Sequence, residues 1–405
     1  MKKLTALILV LSLLLCGCGT SPDGVESLME EVPARVVCLA ENPDRSGEAA
    51  NFALRLLHSS VKEGENTLIS PLSVLMALAM TANGADGETL TQMEEVLGMT
   101  TSDMNAYLYS FMDGQEDALK LANSIWFKDS RSLAIEDTFL DTNANFYMAD
   151  LFKAPMDIGT LTEINNWVAE KTDGTIPKIL GEMPENTVMV LLNALAFEAQ
   201  WESVYEEHQV RKGTFTTEDG REQTVEFMSS AEYAYLEDEN ATGFIKFYDG
   251  RKYAFAALLP REGVSVSDYV ADLTGEHLQE MLKNPENIIT YVDIPKFETE
   301  YSVELSGSLA AMGMADAFDP DLADFSRMGS SENGNLYISQ VLHKTFISVA
   351  EQGTKAGAAT AVLIAEGAAE IVEYKTVNLD RPFVYMLIDC EENLPFFIGT
   401  MMDVG

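Results

Sequence analysis

Basic residues are scarce in this 405-residue chain: 26 lysines and arginines stand against 65 aspartates and glutamates, a formal net charge of −39. Such a surface repels polyanions over most faces, so nucleic acid is not an expected partner. Histidine is scarcer still. His58, His208, His277 and His343 show no ligand-like spacing, and the chain contains no His-Glu-x-x-His, Walker loop or Gly-x-Ser-x-Gly. Metal-assisted, nucleotide-driven and triad chemistry therefore lack a sequence basis, and no metal or cofactor is expected. The four cysteines fall at Cys16, Cys18, Cys38 and Cys390, again without metal spacing. Nothing in the sequence supports a bridge between the last two, which are expected to stay unpaired. After the first fifteen residues no apolar run approaches the length of about 18 that a membrane helix needs.

What the chain does have begins with Lys2 and Lys3 and an apolar run over 4–15, too short to span a bilayer and shaped like a secretory signal. The sequence Leu15-Cys16-Gly17-Cys18 that closes it resembles a bacterial lipobox. That resemblance implies cleavage before Cys18 and lipidation of its thiol, with two or three acyl chains holding the protein on the outer face of the cell membrane. Residues 1–17 then form a lipoprotein signal and 18–44, mixed and aperiodic, the anchor and a flexible linker. A body of 45–405 remains, 47% of the whole chain being apolar.

Within that body, Ala49, Ala50, Phe52, Ala53, Leu54, Leu56 and Leu57 space as a helix. Ser70-Pro71 opens a second helix, with serine at the cap and proline in the first turn, and Asn83-Gly84 ends it. A third runs over 88–97 and stops at Gly98. Strand patterns dominate later, at 188–197, 253–259, 288–297, 345–350, 383–388 and 395–402. Helices first and strands afterwards predict an α+β fold. The stretch 188–197 is apolar at nearly every position, as expected for a strand covered on both faces, and Asn193 within it predicts a buried polar knot.

Between the strands at 345–350 and 383–388 lies a connection of about twenty residues, 351–370, a length that in a compact domain is usually functional or disordered. Its side chains stay small from Ala356 to Ala361 and then turn β-prone at Val362, Leu363 and Ile364. A solvated linker would favour serine, glycine and charge. On a period of two, Thr354, Ala356, Ala358, Thr360, Val362 and Ile364 share one face, so the segment has the pattern of a strand in waiting.

Glu351-Gln-Gly353-Thr354-Lys-Ala356-Gly357-Ala358-Ala359-Thr360 resembles the hinge of the reactive-centre loop of serpins. The likeness covers about 46–405 and recurs at Ser70-Pro-Leu-Ser73, Ile164-Asn165-Asn-Trp-Val, Asn193 followed by Trp201, Ile294-Pro-Lys-Phe297, Ala323-Asp-Phe-Ser326, His343-Lys344, Arg381-Pro-Phe383 and Pro395-Phe-Phe-Ile-Gly399. It implies a serpin fold with a large central sheet and an exposed loop near the C-terminus. It also implies suicide inhibition, in which cleavage lets the hinge enter the sheet while the protease is still an acyl-enzyme; serpin loop insertion is a general example of strand addition. No catalytic residue of the chain's own is then needed. Counting seventeen positions from Glu351, the family spacing places the reactive bond between Gly367 and Ala368, with the neighbours from Ala365 to Ala369 as further candidates and Glu366 and Glu370 as alternative bait for a glutamate-preferring protease. Small residues there imply a serine protease, or secondarily a cysteine protease, with a small primary pocket of elastase or subtilisin type. The family's shutter maps onto Ser70, Ser73, Asn193 and His343 with Asn165 nearby, and Trp201 resembles the tryptophan where the loop first enters the sheet. Two departures stand out: Lys355 replaces a commoner acidic residue, and the stretch from the reactive bond to Arg381 is longer than in many members. Residues 80–104 contain no lysine or arginine, so glycosaminoglycan activation is not expected, and a monomer is.

Two rival classes are a non-inhibitory serpin acting as a surface binding module and an acyl-transfer enzyme. The first is opposed by the small side chains of the hinge, where after Glu351 only Lys355, at the edge, carries charge. The second rests on Ser59-Ser-Val-Lys62, a Ser-x-x-Lys match, and on Lys171-Thr172-Asp173-Gly174, where Asp173 interrupts the partner motif.

Overall fold

In the computed structural model the described residues are 24–29, 32–33, 37, 39, 43–115, 117–183, 187–332, 334–354 and 373–405. The chain opens with β1 (Glu26–Ser27), α1 (Ser46–Ser60), β2 (Thr67–Ile69), α2 (Pro71–Ala82), α3 (Gly87–Leu97) and α4 (Thr101–Asp113). Next come β3 (Leu119–Lys128), β4 (Leu133–Ile135), α5 (Asp137–Tyr147), β5 (Asp150–Ala154) and α6 (Ile158–Lys171). Strands then take over: β6 (Met189–Phe197), β7 (Ala199–Gln200), β8 (Val210–Thr216), β9 (Glu222–Glu237), β10 (Ala241–Phe247) and β11 (Tyr253–Pro260). After α7 (Val266–Asp272) and α8 (Gly275–Lys283) follow β12 (Glu286–Pro295), β13 (Phe297–Glu304), α9 (Ser306–Leu309) and β14 (Gly329–Ser331). The chain closes with β15 (Leu342–Ala350), β16 (Gly353–Thr354), β17 (Tyr374–Asn378), β18 (Phe383–Asp389) and β19 (Leu394–Met401). The architecture is α+β, as the spacing predicts.

Local chemistry explains where the elements begin and end. The Ser70 hydroxyl accepts a hydrogen bond from the Ser73 amide and Pro71 fills the first turn of α2, so the orphan donors of that helix start are reduced in number and capped. Gly98 ends α3 at φ 75°, a left-handed conformation that glycine adopts without a Cβ penalty. Strands β11, β18 and β19 are buried at every residue and lie side by side, with α1 and α2 packed behind β19. Each large apolar side chain sealed there contributes about 1.5–3 kcal/mol, which makes this layer the anchor of the fold.

One extended sheet runs β17-β12-β9-β10-β11-β18-β19-β2, with β8 on the other part of β9. A second set of strands is split into two groups, β1-β5-β3-β6 and β13-β15-β16-β7. Strand β6 pairs along its length with β3 and β15 along its length with β13. No described strand fills the space between their facing edges, apart from the two residues of β16.

Two expectations change here. The apolar stretch at 188–197 is not covered throughout: Met189, Val190, Leu191 and Asn193 are half-buried because the position beside them is open. Part of the expected linker is ordered onto the body, since Glu26–Ser27 pair with the outer edge of β5 and the Leu28 amide donates to the Leu151 carbonyl with its side chain buried.

Candidate functional site

The space between β6 and β15 is a cavity of about 250 Å³. Met189, Leu191 and Asn193 line one side, Leu342 and His343 the other, and Ser73 and Leu78 of α2 the floor. Residues 179–183, after α6, lie over it. Asn165 holds that cover in place: its side-chain oxygen accepts from the amides of Ile179 (2.8 Å) and Leu180 (3.0 Å), and its amide group donates to the Leu180 carbonyl. A single asparagine thus satisfies three backbone groups of an irregular segment.

Across the floor runs a chain of buried and half-buried polar contacts. The Ser70 amide donates to Nε2 of His343 at 2.9 Å, the Ser73 amide donates to the Ser70 hydroxyl, and the Ser73 hydroxyl donates to the Asn193 side-chain oxygen. From Asn193 the chain continues to the Asn123 oxygen at 2.5 Å, and Asn123 donates onward to the Tyr147 carbonyl. Ser70, Ser73, Asn193 and His343 are therefore brought together in one network, whereas Asn165 belongs to the cover. Burial favours the uncharged imidazole and pushes the His343 pKa down to about 4. Its Nε2 acts as acceptor to Ser70, which needs that neutral form.

Farther along β15, beyond the lining of the cavity, the first residues of the expected hinge are already paired. Thr354 lies opposite Val349 of β15 and Ala199 of β7, and Gly353 opposite Ala350 and Gln200. Gly353 has φ 147°, and a Cβ there would stand 2.1 Å from the Ala199 carbonyl oxygen and 2.8 Å from the Gln200 Cα. Only glycine passes that point. The Thr354 hydroxyl is shared with the Tyr248 hydroxyl at 2.5 Å, both residues being buried.

Trp201 stands beside these paired residues. Its indole stacks on Tyr248 at 4.4 Å, its Nε1 donates to the Ala350 carbonyl at 2.9 Å, and its amide donates to the Gln352 carbonyl at 3.0 Å. Lys246, 1% exposed, sits over the rings of Trp201 and Tyr205 and pairs with Glu232 at 2.8 Å. A buried ammonium is tolerated there because a carboxylate and two aromatic faces replace its water. Glu351, just before the paired residues, meets Lys296 at 2.8 Å, and Lys296 also meets Glu226 at 3.0 Å. Burial alone would raise the Glu351 carboxyl, but the hydrogen bond and charge of Lys296 hold it below its ordinary value.

Sequence reasoning missed Tyr248, Lys246, Lys296, Asn123 and the cover at 179–183. Lys246 had a signal, a lone lysine inside the apolar run Phe244-Ile245-Lys246-Phe247. The others face the site through sheet register and chain reversal. Ala356, Gly357, Ala358, Ala359, Thr360, Gly367, Ala368 and Cys18 lie outside the described residues, as does Cys38; Cys390 carries a free thiol. The Ser-x-x-Lys pair is not assembled: the Ser59 hydroxyl donates to the Leu56 carbonyl, while Lys62 faces Glu65 at 3.7 Å. Among the described residues no group of three or more His, Cys, Asp or Glu is arranged to hold a metal.

A divided sheet, a two-residue strand at one end of the division and a cavity farther along it make up the site. The family model described as "Serpin (serine protease inhibitor)" matches residues 48–404, and the chain belongs to the serpin family. A serpin-like protein of Thermococcus kodakarensis is 31% identical over 365 residues, covering 87% of this chain and 84% of that one. The leukocyte elastase inhibitor of Equus caballus is 32% identical over 356 residues, covering 82% and 91%. Among solved structures, the thermophilic serpin tengpin in its native state is 47% identical with a TM-score of 0.88, covering 94% of this chain and 99% of that one.

Proposed function

We propose that this chain is a suicide inhibitor of serine proteases with a small primary pocket, of elastase or subtilisin type. One observation carries the reading: Gly353–Thr354 are already paired between β15 and β7, and farther along the same two edges, at Met189–Asn193 and Leu342–Lys344, a cavity separates β6 from β15. The residues that follow in sequence, from Ala356 to Thr360, are small enough to enter a sheet without displacing its neighbours. The reactive bond in this reading is Gly367–Ala368. Attack on it forms an acyl-enzyme, and movement of the hinge into the cavity drags the attached protease away from its own binding contacts. Distortion of the protease's oxyanion hole then stops deacylation, because that hole stabilises the transition state only when its donors are in place.

The inhibitor is displayed from the cell surface through lipidated Cys18, which suits interception of proteases arriving from outside. Mixing the purified body with pancreatic elastase and running a denaturing gel tests the trap. An adduct near the summed mass supports it; clipped protein alone, with full protease activity remaining, refutes it. Sequencing the released C-terminal peptide fixes the bond.

A further inference from the structure

Next to the point where the loop re-enters the body, three adjacent strands present an aromatic face that the fold does not use. Strand β12 lies between β9, antiparallel, and β17, parallel. Tyr291 stands opposite Ala231 on one side and Thr376 on the other, and Ile289 opposite Tyr374. Since side chains alternate along a strand, Tyr291, Tyr374 and Tyr233, two residues from Ala231, point to the same side. Their exposures are 61% for Tyr233, 51% for Tyr291 and 61% for Tyr374, and the rings of Tyr291 and Tyr374 meet edge to face at 5.4 Å. The intervening Thr290, Val292 and Val377 are buried on the other side. Ala231, Tyr233, Ile289, Tyr291, Tyr374 and Thr376 include no charge, in a chain where 22% of residues are charged and the net charge is −39. Exposed tyrosines grouped on a rigid sheet are the composition of a binding hot spot, offering large apolar area with a polar tip.

We propose that this face is a docking surface for the body of the protease that attacks the loop, an inference that rests on the inhibitory reading above. Reach supports that occupant. Gly367 precedes Tyr374 by seven residues, at most about 25 Å of extended chain. A protease of about 230 residues has a radius of gyration of about 17 Å and hence a diameter well above that reach. An enzyme holding Gly367 in its active site overhangs the strand on which the loop ends. Timing then separates two effects. Before cleavage the face holds the encounter complex and raises the chance of acylation over dissociation. After cleavage the acyl-enzyme leaves with the Gly367 side while Tyr374 stays behind, so the face does not influence the partition between trapping and hydrolysis.

The test compares the parent chain with a Tyr233→Ala/Tyr291→Ala variant, leaving Tyr374 and the loop intact, against pancreatic elastase and a subtilisin. With at least one of the two, the second-order inhibition rate constant is expected to fall about threefold or more, with the stoichiometry unchanged. Circular dichroism and the unfolding midpoint verify folding, and the single variants Tyr233→Ser and Tyr291→Ser replace the double should it fail to fold. A fall of less than threefold with both proteases, while adduct still forms, overturns the docking face and leaves the trap standing. Absence of adduct with the parent chain overturns both. A parent chain that sediments as a dimer, with a monomeric variant trapping at the parental rate, assigns the face to a second copy and overturns the proposal.

Discussion

Replacing Gly353 by alanine tests the hinge at its tightest point. The added methyl would lie 2.1 Å from the Ala199 carbonyl oxygen and 3.0 Å from the Ala199 carbonyl carbon, and both atoms belong to a backbone that is paired across the sheet. No side-chain rotation relieves such a contact. The φ of 147° is itself a region that L-residues avoid, and holding a non-glycine residue in such a region costs about 1–3 kcal/mol. Taking ~2 kcal/mol, the ratio of docked to released hinge falls about 30-fold. Release separates Thr354 from Tyr248 and removes the Gln352 and Glu351 carbonyls from the amides of Trp201 and Tyr205. Trp201 is one of three tryptophans, so the change is expected in the fluorescence emission and near-ultraviolet circular dichroism of the native protein. Under the proposed trapping, the variant should also trap less and be clipped more, with a higher number of inhibitor molecules consumed per protease inactivated. A Gly353→Ala protein with parental tryptophan signals and parental stoichiometry refutes this account of the hinge.

Other parts of the site give separate expectations. The His343 pKa is about 4 in the fold against 6.5 in the unfolded chain, so the neutral imidazole stabilises the fold fully above pH 6.5. That contribution is lost as pH falls from 6.5 towards 4, by about 3 kcal/mol in all. The urea midpoints of the parent and of His343→Gln should therefore converge on acidification; a constant difference from pH 7.5 to 4.5 contradicts the buried neutral histidine. Lys246→Met leaves the largely buried Glu232 without its partner and should destabilise the protein by about 3 kcal/mol, with much of the loss recovered when Glu232→Leu is added. Equal loss in single and double variants argues against the pair. Glu351→Lys places two ammonium groups at a half-exposed contact and should loosen the hinge, while adding Lys296→Glu restores it in part, since the new carboxylate at position 296 then meets Glu226. The pair itself is worth no more than about 1 kcal/mol at that exposure, and its effect should weaken in salt.

The elements that were legible in the sequence are those whose cause is local. Ser70-Pro71, Asn83-Gly84 and Gly98 mark helix ends through capping and backbone conformation, and the observed boundaries of α2 and α3 follow them closely. Strands β11, β18 and β19 announce themselves by unbroken apolar runs because neighbours cover both faces. The same rule led to full cover over 188–197, and the structure departs from it because the neighbour of β6 is absent from that place. Apolar composition records what a strand is able to pack against, not whether the partner is present. Asn193 signalled a polar knot, yet its partners Ser73 and Asn123 sit 120 and 70 residues away and come together only through the pairing of β3 with β6 and the packing of α2. Asn165 shows the opposite limit, since its contacts with Ile179 and Leu180 are near in sequence but depend on a chain reversal that carries no residue pattern.

Hydrogen exchange before and after loop cleavage tests most directly whether the open place in the sheet receives a strand. Peptides covering 187–197 and 341–349 carry the facing edges of β6 and β15, which lie unpaired with each other in this structure. After cleavage near Gly367 and removal of the protease, amides along both edges should become protected together, slowed about 100-fold or more as new ladder hydrogen bonds form. Exchange on both edges that is unchanged by cleavage contradicts the account.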